Sequence, residues 1–164
     1  RHGRSWQCGT IQLDLGMPAR FDVRYVDASG VRRVPAMLHR ALFGSLERFL
    51  GIVLEHHGAR LPGWLAPVQA VVLPVTSEAS VHAEAVAREL ERNDVRALVL
   101  SHDSLARRIV EAHALAAPYV LVVGKNEVRD GTISMRRPGK SDETLPRGEA
   151  LSVVTEGVAR PSFG

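Results

Sequence analysis

The sequence predicts an α/β protein built in two unequal parts, and three observations carry that reading. Three apolar runs, Ala70–Val75, Val95–Leu100 and Tyr119–Val123, alternate with two stretches of helical apolar spacing. This βαβαβ order calls for a mixed or parallel sheet flanked by helices. The residues before about 56 follow a different pattern, with alternating strands ahead of a single apolar helical stripe. Between the two blocks, residues 56–67 break every periodicity and hold two prolines and two glycines. The expected division is residues 1–60, a linker over 61–68, and a second domain over 69–164.

In the first block, Ile11, Leu13 and Leu15 alternate with Gln12 and Asp14, as in a half-buried strand. Phe21, Val23 and Tyr25 alternate in the same way and predict a second strand. Asp27-Ala28-Ser29-Gly30 reads as a turn, with Val31 to Pro35 as the returning arm of a hairpin. Leu38, Leu42, Leu46, Phe49, Leu50, Val53 and Leu54 form an apolar stripe that predicts a helix from about Leu38 to Glu55. Gly44 and Gly51 inside it point to close approach by a backbone or ligand. Trp64 and Leu65 are expected to pin the linker to a surface.

In the second block, the run Ala70–Val75 suits a strand buried on both faces. A helix is expected from Ser77 or Glu78 to about Arg92, with Val81, Ala85, Val86 and Leu90 inward. Another is expected from Asp103 to Leu115, carrying Leu105, Ile109, Ala112 and Leu115. Thr132–Arg136 predicts a fourth strand, Pro138–Asp142 a loop, and Arg147–Val158 a final helix.

Hydrophobic residues make up 45% and charged residues 24%, which is ordinary globular usage. The formal charge of +3 permits a polyanionic partner without demanding one. Cys8 is the sole cysteine, so no intrachain disulfide can form, in keeping with a reducing compartment. No apolar run approaches the roughly 20 residues of a membrane helix. The chain opens on Arg1 rather than Met, which points to a fragment of something longer.

The most informative local stretch is Gly44-Ser45-Leu46-Glu47-Arg48-Phe49-Leu50-Gly51. An arginine among apolar and small residues is costly to bury unless a fixed anion meets it. From spacing alone, Glu47 and Arg48 more simply form an exposed pair. The stretch resembles motif 3 of the class II aminoacyl-tRNA synthetases. Trp6-Gln7-Cys8-Gly9-Thr10-Ile11-Gln12-Leu13-Asp14, Met37-Leu38-His39-Arg40-Ala41 and Trp64-Leu65-Ala66-Pro67-Val68-Gln69 are similar to segments of the threonyl-tRNA synthetases.

The resemblance implies the remnant of an antiparallel-sheet catalytic domain followed by a mixed-sheet α/β anticodon-binding domain. It implies ATP, Mg2+ and Zn2+ as cofactors, and threonine, ATP and tRNA as substrates. A homodimer in the cytoplasm is the implied setting, with no membrane. Arg48 matches the arginine that stacks on adenine and neutralises phosphate, and Gln7 and Thr10 match positions that contact the nucleotide. Gln12 and Ser45 match positions that line the aminoacyl-adenylate pocket; Arg48 and Gln12 are the implied catalytic residues. His39 matches one ligand of a zinc ion that grips the amino and hydroxyl groups of threonine and so rejects valine. Taken by itself, His39 is more simply a hydrogen-bonded histidine at a helix start. The remaining ligands, and the family's motifs 1 and 2, are expected upstream of Arg1. The 164 residues alone are expected to be inactive.

In the second block, Pro118-Tyr119-Val120-Leu121-Val122-Val123-Gly124-Lys125-Asn126-Glu127 resembles the strand-turn signature of the anticodon-binding domain. Glu127 and Arg136 match positions that read anticodon bases, which offer their edges to a carboxylate or guanidinium when unstacked. Taken alone, the two are also consistent with a solvated hairpin. The sequence departs from the family at Ser101-His102-Asp103-Ser104-Leu105-Ala106. Ser101, His102, Asp103 and Ala106 stand where the family carries arginine, asparagine, glutamate and glycine. Altered anticodon affinity is expected, with His102 at the reading position. Ala114-Leu115-Ala116-Ala117 also replaces a normally basic stretch.

Two function classes stay open at this point. One is part of a threonine–tRNA ligase, favoured by Gln7, Thr10, His39 and Arg48. The other is a non-catalytic tRNA-binding or regulatory module, favoured by the altered 101–106 segment.

Overall fold

The protein is described by a computed structural model that covers residues 5–58 and 60–162. It divides into two compact units, Arg1–His56 and His57–Gly164. No helix among the described residues is long and apolar enough to cross a membrane.

The first unit contains β1 (Thr10–Asp14), α1 (Met17–Arg20), β2 (Tyr25–Val26), β3 (Arg32–Arg33), β4 (Met37–Ala41) and α2 (Leu46–His57). β1 and β4 form an antiparallel ribbon, with Gln12 opposite His39 and Thr10 opposite Ala41. Three expectations are corrected here. Residues 38–41 are strand, not the start of a helix, and His39 therefore sits mid-strand. The apolar steps of four from Leu38 to Leu42 fit a strand face as well as a helix, since four is an even spacing. Pairing with β1 settles the choice, and Gly44 at φ 66 turns the chain before α2 begins. Gly51 lies within α2, but nothing approaches its Cβ position within 4 Å, so it marks no close contact. Phe21–Tyr25 is also not a full strand. Met17–Arg20 makes one helical turn with proline at its start, and Asp22 adopts φ 51, leaving only Tyr25–Val26 to pair with β3.

The β2–β3 hairpin is closed by Asp27. Its carboxylate accepts from the Ser29 hydroxyl at 2.6 Å, the Ser29 amide at 2.9 Å and the Val31 amide at 3.0 Å, and pairs with Arg33. The Ser29 hydroxyl, then Arg33, then the Val31 amide hold its pKa down at about 2, against an ordinary 3.8. Because the folded pKa is depressed, the contribution of Asp27 is complete above the ordinary value. It is lost as pH falls through about 2. A carboxyl chemical-shift titration should therefore find the Asp27 midpoint well below the ordinary value. A midpoint near 3.8 would show that the turn is not formed this way.

The second unit contains β5 (Ala70–Pro74), α3 (Ser80–Arg92), β6 (Ala97–Val99), α4 (Leu105–Ala114), β7 (Tyr119–Val123), α5 (Lys125–Asp130), β8 (Thr132–Arg136), β9 (Glu143–Pro146) and α6 (Arg147–Gly157). The sheet order is β6-β5-β7-β8-β9, with the first three strands parallel and the last two antiparallel. This is the mixed sheet that the alternation of elements predicts. α5 and β9 were not anticipated. Six mostly polar residues carry no apolar period, and β9 is a short edge strand ending in proline.

Two cores hold the sheet between helices. On one face Ala83, Val86 and Leu90 of α3 and Val154 of α6 pack with Leu121, Ile133 and Met135. On the other, Ala112 of α4, with Leu105 and Ile109 against it, covers Val71, Leu73, Val120 and Val122. Ile133 and Met135 are buried in the first core, so Thr132, Ser134 and Arg136 present the opposite face of β8. α4 packs over β5.

The linker is held by polar contacts more than by its aromatic residue. Buried Gln69 donates to the Gly63 carbonyl at 2.9 Å and accepts from the Arg96 amide at 2.9 Å. The Arg96 guanidinium donates to the carbonyls of Trp64 at 3.0 Å and Ala66 at 2.7 Å. These bonds satisfy the chain just before β5, where unpaired backbone groups would otherwise be costly. Gly157 completes the packing, since a Cβ there would lie 1.8 Å from the Tyr119 hydroxyl.

Candidate functional site

In the first unit, the β1–β4 register sorts the candidate residues by face. Paired residues of an antiparallel ribbon point the same way, and alternate residues share a side. Thr10, Gln12 and Asp14 therefore lie on one face with Met37, His39 and Ala41. Ile11, Leu13, Leu38 and Arg40 lie on the other and are exposed. Gln7 joins the polar group by donating from Nε2 to the Thr10 hydroxyl at 2.8 Å. Asp14 is lowered below its ordinary pKa, first by the amides of Met17 and Gly16 and more weakly by the charges of His39 and Arg20.

Ser45 and Arg48 belong to the start of α2. The Ser45 carbonyl accepts from Phe49 N at 3.0 Å and its hydroxyl accepts from Arg48 N at 3.3 Å, as an N-cap does. The same hydroxyl donates to Glu47 at 2.7 Å and lowers that carboxyl's pKa. Phe43 stacks at a tilt on Phe49, with ring centroids 4.5 Å apart. Glu47 is thus committed to the cap. Arg48 is exposed, and among the described residues no acid pairs with its guanidinium.

A metal needs about three protein ligands to be held in a catalytic site. Among the described residues no group of three His, Cys, Asp or Glu side chains converges. His39 can therefore contribute one ligand only.

In the second unit, His102 follows β6 and Glu127 opens α5 after β7, so both lie at the carboxyl edge of the parallel strands. This edge, where the connections leaving β5 and β6 run through α3 and α4 on opposite faces of the sheet, is the usual ligand-binding edge of an open α/β sheet. His102 Nε2 lies 2.9 Å from Glu111 of α4. Glu127 Oε2 accepts from the Gly124 amide at 2.9 Å, which caps the short α5. Arg136 is elsewhere: it pairs with Val120 at the opposite end of β7. Gly124 lies four residue steps after Val120, so the two ends stand roughly 13 Å apart at ~3.3 Å per residue. Arg136 Nε is 3.1 Å from Asp142 Oδ2, an ion pair without hydrogen-bond alignment.

One feature at the carboxyl edge was missed from sequence. Arg108 is only 5% exposed, yet among the described residues no acid pairs with it. One terminal nitrogen donates to the Pro74 carbonyl at 2.6 Å and the Leu100 carbonyl at 3.1 Å, while its Nε has no acceptor. The signal was present: Arg108 falls three residues after Leu105 and four before Ala112, on the apolar stripe of α4.

Comparison with known proteins agrees with this division. The family described as "Anticodon binding domain" matches residues 69–157, and "tRNA synthetase class II core domain (G, H, P, S and T)" matches residues 1–57. The threonine–tRNA ligase of Zymomonas mobilis is 42% identical over 98% of this chain, and that of Desulforapulum autotrophicum 47% over 82%. These regions are 25% and 21% of the two relatives, so the chain spans about a quarter of their length or less. The crystal structure of the RNA binding domain of threonyl-tRNA synthetase from Cryptosporidium parvum aligns with a TM-score of 0.78 at 35% identity, covering 94% of this chain and 40% of that one. The chain belongs to the class II threonyl-tRNA synthetase family, of which it carries a core-domain segment and an anticodon-binding domain.

Proposed function

We propose that the complete protein containing this chain is an ATP-dependent threonine–tRNA ligase, a homodimer acting in the cytoplasm. In this reading, its first unit lines part of the ATP and threonine sites and its second binds the anticodon loop. The observation that carries the reading is the gathering of Thr10, Gln12 and His39 on one face of the β1–β4 ribbon, with Gln7 bonded to Thr10. The exposed Ile11, Leu13 and Leu38 on the opposite face and the exposed Leu46, Leu50 and Leu54 of α2 support a larger catalytic domain around them. Large exposed apolar surface is otherwise unusual in a soluble unit.

A zinc ion would hold the amino and hydroxyl groups of threonine, with His39 as one ligand and the rest from outside these residues. Magnesium would accompany ATP. Arg48 offers a permanently charged, unpaired plane to adenine and phosphate. Gln7 and Thr10 orient the nucleotide, and Gln12 and Ser45 line the adenylate pocket. In the complete protein, Arg48→Ala should lower threonine-dependent pyrophosphate exchange by roughly 10²–10³-fold. Exchange at the parental rate would remove Arg48 from the site. The second reading, a non-catalytic tRNA-binding module, draws on the engagement of His102 with Glu111. It predicts tRNA binding with no exchange at all.

A further inference from the structure

Residues 62–69 lead from α2 into β5, and their polar groups converge on one arginine. Arg96, the residue before β6, donates from Nε to the carbonyls of Ala66 at 3.1 Å and Pro67 at 3.2 Å. Its Nη2 donates to the carbonyls of Trp64 at 3.0 Å and Ala66 at 2.7 Å. Its own carbonyl accepts from the amides of Gln69 at 2.8 Å and Ala70 at 3.3 Å, and its amide donates to Gln69 Oε1 at 2.9 Å. Gln69, only 2% exposed, reaches back from Nε2 to the Gly63 carbonyl at 2.9 Å. From another side, Gly63 rests on the end of α6. A Cβ there would lie 2.7 Å from the Gly157 carbonyl oxygen and 3.3 Å from the Val158 side chain.

β5 does not need this clasp, since β6 and β7 already pair with it on either side. The guanidinium bonds fall ahead of the strand, on residues whose Trp64 and Leu65 side chains stay partly exposed. A loop that only joins two elements would leave such carbonyls to water. A planar guanidinium fork that spans three of them fixes the direction of the chain as well as its position. With the clasp closed, residues 58–62 alone separate α2 from the fixed linker. With it open, the connection runs over residues 58–68, about twice the length.

We infer that Arg96 and Gln69 are positioning residues for the transfer of threonine to tRNA, clasping the linker so that the second unit holds its end of the tRNA on a short, directed connection to α2. The inference rests on the ligase reading above, in which one tRNA engages both units at once. A tRNA gripped by the second unit meets the first as an intramolecular partner, at an effective concentration set by the connection. That concentration falls as about the −3/2 power of length, so doubling the connection costs about threefold. Lost direction adds to the cost, because transfer requires the reacting groups to be oriented. Threonine activation uses threonine and ATP alone and lies outside the effect.

In the complete protein, Arg96→Met should lower kcat/KM for threonylation of whole tRNA roughly three- to tenfold. Threonine-dependent pyrophosphate exchange and the affinity for an isolated anticodon hairpin should both stay within about twofold of the parent. Arg96→Lys, which keeps the charge and part of the donor set, should recover part of the loss. Gly63→Ala pushes the linker off the Gly157 carbonyl without touching Arg96, and should give the same split at about threefold. Hydrogen exchange at the Ala66 amide, which bonds to the Pro62 carbonyl at 3.1 Å, should quicken in Arg96→Met. Whole-tRNA threonylation at the parental kcat/KM in either Arg96→Met or Gly63→Ala overturns the proposal, as does an Ala66 amide no less protected in Arg96→Met. Hairpin affinity or pyrophosphate exchange falling in step with threonylation makes the clasp a support of the fold alone. That result also overturns the proposal, and it leaves the ligase reading standing. A parent protein without threonine-dependent pyrophosphate exchange removes the ligase reading itself, and the positioning role with it.

Discussion

Replacing His39 by alanine in the complete protein is expected to cut threonine-dependent pyrophosphate exchange by more than about 100-fold, because even outer-shell partners of a metal ligand cost 10–100-fold. The substitution sits on an exposed mid-strand position opposite Gln12, where alanine leaves the ribbon's backbone pairing intact. A folding defect is therefore not the expected cause. Bound zinc, measured on the purified protein, should fall in parallel with exchange. Full exchange with stoichiometric zinc in the mutant would refute the assignment. Loss of exchange with zinc retained would instead make His39 a contact to substrate. Valine supplies a second readout, since a weakened metal site should narrow the discrimination between threonine and valine.

Arg108→Ala is expected to destabilise the second unit by about 2–4 kcal/mol, combining a cavity with two carbonyls left unpaired. The Pro74 and Leu100 carbonyls lie at the ends of β5 and β6, so both strand ends and the Ser101–Ser104 loop should loosen. Arg108→Met should cost less, about 1 kcal/mol, because it keeps the volume and removes a buried charge whose Nε already lacks an acceptor. Urea unfolding gives the two values. Hydrogen exchange at the Leu100 amide, which bonds to Val72 at 3.1 Å, reports the local opening. If Arg108→Met proves the more damaging of the two, the charge itself is needed. The guanidinium would then be neutralising something beyond the two carbonyls.

The elements that the sequence made legible are those whose burial pattern is local. β7 and β8 run over Tyr119–Val123 and Thr132–Arg136 as their apolar patterns indicate, and α6 begins at Arg147. β7 is a short continuous apolar run buried on nearly every residue, and β8 alternates buried with half-buried residues. The errors fell where one spacing serves two structures or where a partner decides. Leu38 to Leu42 fits helix or strand equally, and only pairing with β1 resolves it. Phe21 to Tyr25 alternates like a strand but has too short a partner in Arg32–Arg33. β9 has no signal of its own and exists because β8 offers it an edge.

The candidate site divides in the same way. Gln7, Thr10, Gln12, His39, Ser45 and Arg48 were named from the resemblance of their segments to the family's motifs, not from spacing. The motifs could not show that Gln12 and His39, 27 residues apart in sequence, stand side by side across two strands, nor that the Ser45 hydroxyl is committed to the cap of α2. Likewise Glu127 and Arg136 were named together, yet they stand at opposite ends of β7. The burial of Arg108 and the two carbonyls it meets belong wholly to the tertiary structure. Burial and empty space arise from which surfaces meet, and a sequence states only what each residue can offer. By itself, this one determined a lineage, a two-part organisation and a set of chemically apt side chains. Packing decided which of those side chains share a face, which are spent on the fold, and which are left exposed.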